Sequence, residues 1–244
     1  MTYPWIRYPP DNENLVSNSE LPDPIPAATV VLLRERNAAV ETLMLRKSDN
    51  IDFGGMWVFP GGCIEDADYD VSDDTETAAR TAAAREAEEE TGIRVEPGEF
   101  QWFAHWTPPP MPRKRFQTWF FAAAVDGDDS VEVDGDEIQA YQWVRPDHAL
   151  AQHRQGRINV VAPTWLTLYY LSRYSSVPAL LQRFATATPK HYQSRPARGK
   201  AGSHIVLWHG DAGYEIGDAS VPGERHRLII QGNRYTFENT IEQY

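Results

Sequence analysis

The segment from residue 75 to residue 92, TETAARTAAAREAEEETG, constrains the fold more than any other part of the sequence. Ala, Arg and Glu are strong helix formers, and Asp73 followed by Glu76 resembles the capping box of a helix start. Gly92 stands where a C-terminal cap belongs. These signals predict one helix that follows an acidic loop and ends at Gly92.

The residues around this helix predict strands and turns. Upstream, MWVFPGG is typical of a short strand ended by Gly61 and Gly62, which permit a tight turn and a close approach of the backbone to another group. We expect a short helix near His148 and a longer one from Pro163, interrupted near Pro178. Apolar and β-branched runs predict further strands at PAATVVLLRER, VETLMLRK, FQWFAHW, RFQTWFFAAAV, IQAYQWV, HIVLW and RLII.

Charge is unevenly distributed along a chain whose net charge is -12. Residues 65–90 carry 11 carboxylates and two arginines, whereas residues 148–210 carry no carboxylate and eight Lys or Arg side chains. The dense acidic stretch would repel a nucleic acid, so no nucleic-acid partner is expected, and clustered carboxylates favour divalent cations. The basic stretch fits a phosphate group of a large substrate, the acidic half of a second subunit in a homodimer, or charge balance.

Neither a membrane segment nor an export signal is expected. The sequence has no run of 18 apolar residues, and its start, MTYPWIRYPPDNENL, lacks a cationic region followed by an apolar one. The single cysteine, Cys63, cannot form an intramolecular disulfide and fits a reducing compartment. We therefore expect a cytoplasmic protein without a membrane partner.

Three carboxylates of the predicted helix share one face. Glu86, Glu89 and Glu90 stand at positions i, i+3 and i+4, which are neighbours at 3.6 residues per turn. Their mutual repulsion is relieved if hard cations that take oxygen ligands bridge them, which makes Mg²⁺ or Mn²⁺ the candidate cofactor. The alternative is a solvated acidic face, the usual role of a charge run.

The order FPGG, acidic loop and REAEEETGI resembles the Nudix box, whose pattern is Gly, five residues, Glu, seven residues, then Arg-Glu-aliphatic-x-Glu-Glu-x-Gly-aliphatic. Residues 85–93 match the second half at every position, with a small Ala87 as the aliphatic residue. In the first half, Gly62 precedes Thr77 by 15 residues where the pattern has six, and Thr77 is not acidic. The residue that orients the box arginine is left open between Glu76 and Glu65.

A second resemblance is to the Nudix branch related to peroxisomal coenzyme A diphosphatases. It rests on the acidic loop, on HWTPPPMPRKRFQTWFF and on Arg46 and Gly55 upstream of FPGG, although Ile51 replaces an arginine of that pattern. A coenzyme A-type substrate is therefore one candidate, beside a nucleotide-sugar type.

The Nudix resemblance implies a fold and a set of site residues. The fold class is α/β, a Nudix-type α/β/α sandwich with a mixed sheet, followed by a C-terminal extension of helix and short strands. Arg85 would fix the loop and the helix through an ion pair, and Glu137 outside the box would serve as a further ligand or base. The implied metal ligands and catalytic carboxylates are Glu86, Glu89 and Glu90, and the implied substrate-binding residues are Gly61, Gly62, Arg46, Arg113 and Arg115.

These features predict three regions and two alternative functions. An N-terminal arm at 1–25, rich in Pro, Asn, Asp and Ser, precedes a Nudix hydrolase domain at 26–150 and an extension at 151–244 that packs on the core. The resemblance implies a metal-dependent pyrophosphohydrolase that acts on a small-molecule nucleoside diphosphate derivative. The alternative is a catalytically silent Nudix module that senses ADP-ribose or a related nucleotide, which degraded box carboxylates would favour.

Overall fold

The structure is a computed structural model that describes residues 22–70, 72–110, 114–126, 130–133, 135–199 and 203–241. Two short 3-10 helices occupy Asp66–Tyr69 and Pro97–Glu99. The strands are β1 (Ile25–Arg36), β2 (Ala39–Lys47), β3 (Trp57–Val58), β4 (Gly61–Cys63), β5 (Gln101–Thr107), β6 (Phe116–Ala124), β7 (Ile138–Val144), β8 (Lys190–Gln193), β9 (Arg195–Arg198), β10 (His204–Leu207), β11 (His226–Gln231) and β12 (Arg234–Asn239). The α-helices are α1 (Thr75–Thr91), α2 (Pro146–Arg154), α3 (Ala162–Leu171) and α4 (Val177–Thr186). None of the described helices combines the length and the apolar character needed to cross a membrane.

Helix α1 begins and ends at residues that cap it. The Asp74 carboxylate accepts a hydrogen bond of 2.9 Å from a backbone N–H of the first turn, so Asp74 rather than Asp73 is the N-cap. The predicted capping box is wrong, because the Glu76 side chain pairs with Arg80 at 2.7 Å instead. Gly92 ends the helix as predicted, with a left-handed φ of 73° that glycine adopts without strain.

Strand β1 lies inside the large sheet and pairs with several of its other strands. The sheet is mixed and has the order β3-β2-β1-β6-β5-β8, with β7 also paired to β2 and β4 also paired to β1. The first half of β1 pairs with β4, where Ala28 lies opposite Gly62, and its second half pairs with β2, where Leu33 lies opposite Thr42. Strand β1 therefore holds both β2 and the glycine strand β4.

Helix α1 packs against the sheet through small side chains. Its buried face consists mainly of alanines, which allow the helix to approach the sheet closely while its opposite face stays polar. Alternate residues of the strands supply the other half of this core, since successive side chains of a strand point to opposite faces. The buried cluster includes Ala79, Ala82, Ala83 and Ala87 of α1 and Val30, Leu32, Leu43, Leu45, Phe121 and Ile138 of the strands.

The opposite face of the sheet is buried as well. Val31, Leu33 and Met44, which alternate with the residues facing α1, are fully buried. Helix α2 contacts β2 and α3, and Phe184 of α4 stacks on Phe103 of β5 with ring centroids 4.4 Å apart. Helices thus cover both faces of a mixed sheet, and the predicted α/β/α sandwich is confirmed.

The chain forms two compact units. One consists of residues 26–105 and 118–191, and the other contains the described parts of 1–25, 106–117 and 192–244. The first holds α1 to α4 and the glycine strand. The division predicted from the sequence, at residues 25 and 150, stays a prediction, and α2 runs across residue 150.

The second unit contains a small antiparallel sheet with the order β12-β11-β10-β9. Strands β10 and β11 correspond to the predicted HIVLW and RLII strands, whereas β8, β9 and β12 were not predicted. A buried ion pair lies beside this sheet: Arg227 donates two hydrogen bonds of 2.6 Å to Asp211, and the two side chains are 4% and 0% exposed. The backbone N–H groups of Gly213 and His226 also donate to Asp211, so this carboxylate joins a turn to β11.

We expect Asp211→Asn to destabilise this unit by about 3–5 kcal/mol, because the substitution leaves the Arg227 guanidinium buried without its counter-charge. The measurement is urea unfolding followed by circular dichroism and tryptophan fluorescence. The exposed Glu215→Gln in the same unit is the control and should change the free energy of unfolding by less than about 0.5 kcal/mol. Equal effects of the two substitutions would contradict this prediction.

The same ion pair makes stability depend on pH. Burial alone would raise the pKa of Asp211, but hydrogen bonds from Arg227 and from two backbone N–H groups outweigh it and lower that pKa. Because the folded pKa lies below the unfolded value of about 3.9, this contribution is complete above that pH and is lost as the pH falls through the folded pKa. Acidification below about pH 4 should therefore bring the unfolding free energies of wild type and Asp211→Asn together; a constant difference would refute the assignment.

Candidate active site

Strand β4 places two glycines directly against two glutamates of α1. The backbone N of Gly61 donates a hydrogen bond of 2.9 Å to Oε2 of Glu90. The Glu86 carboxylate lies so close to Gly62 that a Cβ added at residue 62 would overlap it. The Glu86 and Glu90 side chains are 16% and 6% exposed, so the structure brings both predicted glycines and two of the three predicted carboxylates into one largely buried cluster.

Arg85 connects this cluster to the loop before α1. Its guanidinium donates to both carboxylate oxygens of Asp68 at 3.1 and 3.2 Å and to the Cys63 carbonyl at 3.0 Å. A second edge of the guanidinium pairs with Glu86 at 2.9 Å and with Glu89 at 3.1 Å. Arg85 therefore ties the loop, the glycine strand and the helix together, whereas the resemblance implied an ion pair between the loop and the helix alone.

Asp68, and neither of the two candidates from the sequence, orients Arg85. It lies in the 3-10 helix Asp66–Tyr69 inside the acidic loop, is 2% exposed, and also accepts a hydrogen bond from the backbone N of Glu65 at 2.8 Å. Glu76 pairs with Arg80 on α1. The lengthened loop thus folds back on itself to deliver a carboxylate that the sequence pattern did not identify.

Burial shifts the ionisation of the two clustered glutamates. It raises the pKa of Glu86 despite the opposing charge of Arg85, and it raises the pKa of Glu90 to about 7 despite the opposing charge of Lys47. Burial would lower the pKa of Arg85, but the hydrogen bond with Asp68 and the charge of Glu86 raise it above its usual value. The protein's own cations therefore compensate the two glutamates only in part, and a further cation would stabilise their charged forms.

A lysine outside the predicted site contacts Glu90. Lys47 at the end of β2 has its Nζ 3.2 Å from Oε1 of Glu90, and the two side chains are 14% and 6% exposed. The distance is that of an ion pair, and by geometry Oε1 accepts no hydrogen bond from the described residues, so Lys47 acts on Glu90 mainly through its charge. This oxygen is therefore buried and incompletely satisfied.

The carboxylates of the cluster have the donor atoms of a divalent-cation site but do not form a closely grouped set of three among the described residues. Among the described residues, no three His, Cys, Asp or Glu side chains are grouped closely enough to hold a metal ion, and Glu89 is 58% exposed and turned to Arg85. However, hard divalent cations prefer carboxylate oxygens, and Glu86 and Glu90 offer them in one cluster where Oε1 of Glu90 lacks a hydrogen bond. The chemistry of these two carboxylates suits Mg²⁺ or Mn²⁺, and the assignment of Glu86, Glu89 and Glu90 as ligands stays a prediction.

Two further predicted residues lie near the end of β2. The carbonyl of Glu137, an exposed residue that precedes β7, accepts a hydrogen bond of 2.8 Å from the backbone N of Ser48, immediately after Lys47. Arg46 donates hydrogen bonds to Gln139 and, at 2.9 Å, to Asp49. The catalytic role of Glu137 and the substrate-binding role of Arg46 stay predictions.

Of the two arginines predicted in the proline-rich loop, the structure describes one. Arg115 belongs to the other compact unit, where it donates a hydrogen bond of 2.6 Å to the Pro22 carbonyl. Arg113 lies outside the described residues. Their roles in substrate binding stay predictions.

Comparison with known proteins agrees with this geometry. A family model described as the NUDIX domain matches residues 23–163, which is more than half of the chain. The chain belongs to the Nudix family. The predicted superfamily is thus confirmed, whereas the narrower coenzyme A diphosphatase branch stays a prediction.

Individual Nudix proteins are similar over part of the chain. The "Putative nudix hydrolase 7" of Caenorhabditis elegans is 24% identical over 188 residues, which cover 62% of this chain and 60% of that protein. The crystal structure of a NUDIX hydrolase from Alicyclobacillus acidocaldarius superposes with a TM-score of 0.61 at 21% identity and covers 66% of this chain and 96% of that one. The similarity to the Alicyclobacillus acidocaldarius structure shows a shared fold.

Sequence patterns missed Asp68 and Lys47 for different reasons. Asp68 is one of several acids in the loop, and nothing in its immediate neighbours distinguishes it from Asp66 or Asp70. Lys47, in contrast, lies two residues after Leu45, which faces α1 together with Leu43, at a β-bulge between β2 and β7. A charged residue that follows such a buried stripe at this spacing is a signal that could have identified it.

We expect Asp68→Asn to lower the free energy of unfolding by roughly 2–3 kcal/mol, because Arg85 is about three-quarters buried and loses the charge that holds it. Asp66→Asn is the control, since Asp66 is exposed in the same 3-10 helix. Urea unfolding of both variants measures the difference. The prediction is wrong if Asp68→Asn is no less stable than Asp66→Asn.

Gly62→Ala tests the close approach of strand β4 to α1. The added methyl group would overlap the Glu86 carboxylate and push it away, so we expect Mn²⁺ to raise the melting temperature of this variant less than that of the wild type. Gly98→Ala is the control, because a Cβ at Gly98 has no atom within 4 Å. An unchanged Mn²⁺ effect in a folded Gly62→Ala protein would show that the contact is dispensable.

Proposed function

We propose that this chain is a divalent-metal-dependent hydrolase that cleaves the diphosphate bond of a nucleoside diphosphate linked to another group. The proposal is carried by the Glu86–Glu90 pair, two largely buried carboxylates with raised pKa values that the side chains of the protein neutralise only in part. A divalent cation supplies the missing charge and the affinity for a diphosphate. Membership of the Nudix family supports the same reaction class.

In such a reaction, some residues of the chain would bind the cation and others would position the binding residues. Glu86 and Glu90 would hold Mg²⁺ or Mn²⁺, which neutralises phosphate charge and promotes attack by water. Arg85, fixed by Asp68, keeps Glu86 oriented toward the glycine strand, and the glycines leave no side chain between the backbone and the carboxylates. This positioning is the main contribution of a protein to phosphoryl transfer.

A proton must leave the attacking water. As the new bond between oxygen and phosphorus forms and the bond within the diphosphate breaks, a carboxylate accepts that proton and one phosphate departs with the leaving group. Glu137 is exposed and anchored by its carbonyl to the backbone after Lys47, which makes it the candidate base. The substrate class extends to coenzyme A-type and nucleotide-sugar-type diphosphates.

A second candidate function is a silent Nudix module that binds a nucleotide such as ADP-ribose without cleaving it. The ion pairs Arg85–Glu89 and Lys47–Glu90 favour it, since each occupies a carboxylate that a cation would need. The intact set of box carboxylates favours the hydrolase.

Incubation with coenzyme A, ADP-ribose, NADH and dinucleoside polyphosphates, in Mg²⁺, in Mn²⁺ and in EDTA, distinguishes the two functions. Chromatography of the nucleotides that are released is the readout. Metal-dependent cleavage of any compound supports the hydrolase. If none is cleaved but one raises the melting temperature, the silent module is correct.

We expect Glu90→Gln and Glu86→Gln to reduce metal-dependent turnover by roughly 10²-fold or more, because each removes a charge from the cation site while conserving shape. Glu88→Gln is the matched control: Glu88 lies on the same helix but pairs with the exposed Arg94. Steady-state rates on the best substrate at saturating Mn²⁺ measure the effect. Full activity of a folded Glu90→Gln protein would contradict the assignment of Glu90 to the cation site.

A further inference from the structure

Strand β2 places a cation at the end of the buried stripe that faces α1. Leu43 and Leu45 belong to the core beneath the alanine face of the helix, and Lys47 follows two residues later, where the pairing of β2 with β7 has a β-bulge. Its side chain is only 14% exposed. A lysine in such a position needs a partner, because an ammonium group is costly to remove from water.

That partner is one specific oxygen of Glu90. Oε2 accepts the hydrogen bond from Gly61, which leaves Oε1 as the oxygen that faces the Lys47 ammonium at 3.2 Å. The contact does not meet the geometry of a directed hydrogen bond, so Lys47 acts on Oε1 mainly through its charge. Any cation that Glu90 binds through Oε1 must compete with Lys47.

We propose that Lys47 is the internal counter-ion of Glu90, which a divalent cation displaces when it binds. Lys47 thereby stabilises the metal-free protein and sets how tightly the metal is held. Lysine suits this role because its ammonium is a point charge on a flexible stem and is strongly hydrated, so it leaves a carboxylate more readily than the planar fork of an arginine does. The inference rests on the proposed function, since it assigns Glu90 to the cation.

The neighbouring arginine shows a contrasting arrangement. Arg85 contacts Glu86 but is held at the same time by Asp68 and by the Cys63 carbonyl, so it stays in place if Glu86 changes partner. For Lys47, the structure describes one ion pair, with Glu90. Arg85 is therefore a fixed positioning residue, whereas Lys47 is an exchangeable one.

The experiment is Mn²⁺ binding to the full chain without substrate, measured by electron paramagnetic resonance of free Mn²⁺ at one pH and ionic strength. Lys47→Met should lower the Kd for Mn²⁺ by roughly tenfold, because the metal no longer displaces a charged competitor from Glu90. The same substitution should lower the melting temperature of the metal-free protein and increase the rise that Mn²⁺ causes. Lys47→Gln is the second neutral variant, in case Lys47→Met does not fold.

Three controls isolate the ion pair. Arg94→Met removes the same charge from the exposed end of the α1 region and should leave the Kd within about twofold of wild type. Lys47→Arg keeps the charge and should keep the Kd at or above the wild-type value. In a Glu90→Gln background, Lys47→Met should no longer tighten Mn²⁺ binding, because the carboxylate for which the two cations compete is gone.

The outcomes separate this inference from the proposed function. If wild type binds Mn²⁺ but folded Lys47→Met or Lys47→Gln binds it equally or more weakly, Lys47 is not a competitor and the inference fails while the hydrolase proposal stands. If wild type binds no Mn²⁺, both fail. Tighter binding in both neutral variants, absent with Glu90→Gln, establishes the exchange.

Discussion

The geometry of the site depends on the ion pair between Asp68 and Arg85. It is formed by a buried carboxylate from the loop and a guanidinium from the middle of α1, and the same guanidinium reaches the Cys63 carbonyl at the end of the glycine strand. The glycine strand, the loop that follows it and α1 are thus fixed by one charged group. Because both oxygens of the Asp68 carboxylate accept hydrogen bonds from the planar guanidinium, the pair also fixes the orientation of Arg85, which a single hydrogen bond would not do.

The alanine face of α1 offsets the cost of this acidic site. Carboxylates at positions 86 and 90 lose hydration when they lie against Gly61 and Gly62, and their raised pKa values reflect that loss. On the adjoining face, Ala79, Ala83 and Ala87 are completely buried against the sheet. Helix propensity and apolar burial therefore stabilise the segment, while the caps at Asp74 and Gly92 satisfy its ends.

Local patterns in the sequence predict most of this fold but only part of its site. The run of helix formers and Gly92 predict α1 to within two residues, because their signals act over one or two turns. The family pattern likewise identifies Arg85 and the glutamates. Asp68 and Lys47 were not predicted. Asp68 pairs with Arg85, 17 residues away along the chain, and Lys47 pairs with Glu90, 43 residues away, and local sequence propensity carries no information on such distant contacts. The strands β8, β9 and β12 were missed for the same reason, since pairing partners decide short polar strands.

If the proposed metal site is correct, the two cations of the cluster explain how it can be stable without a metal and still bind one. Neutralising every carboxylate with fixed, multiply bonded arginines would give a stable protein with little affinity for a divalent cation. Leaving them all unpaired would raise the cost of burial and favour protonated glutamates. Here Arg85 is held by Asp68 and the Cys63 carbonyl in addition to the glutamates, while Lys47 opposes only one oxygen of Glu90. In the proposed exchange, the rigid cation keeps the geometry and the displaceable one leaves a place for the metal.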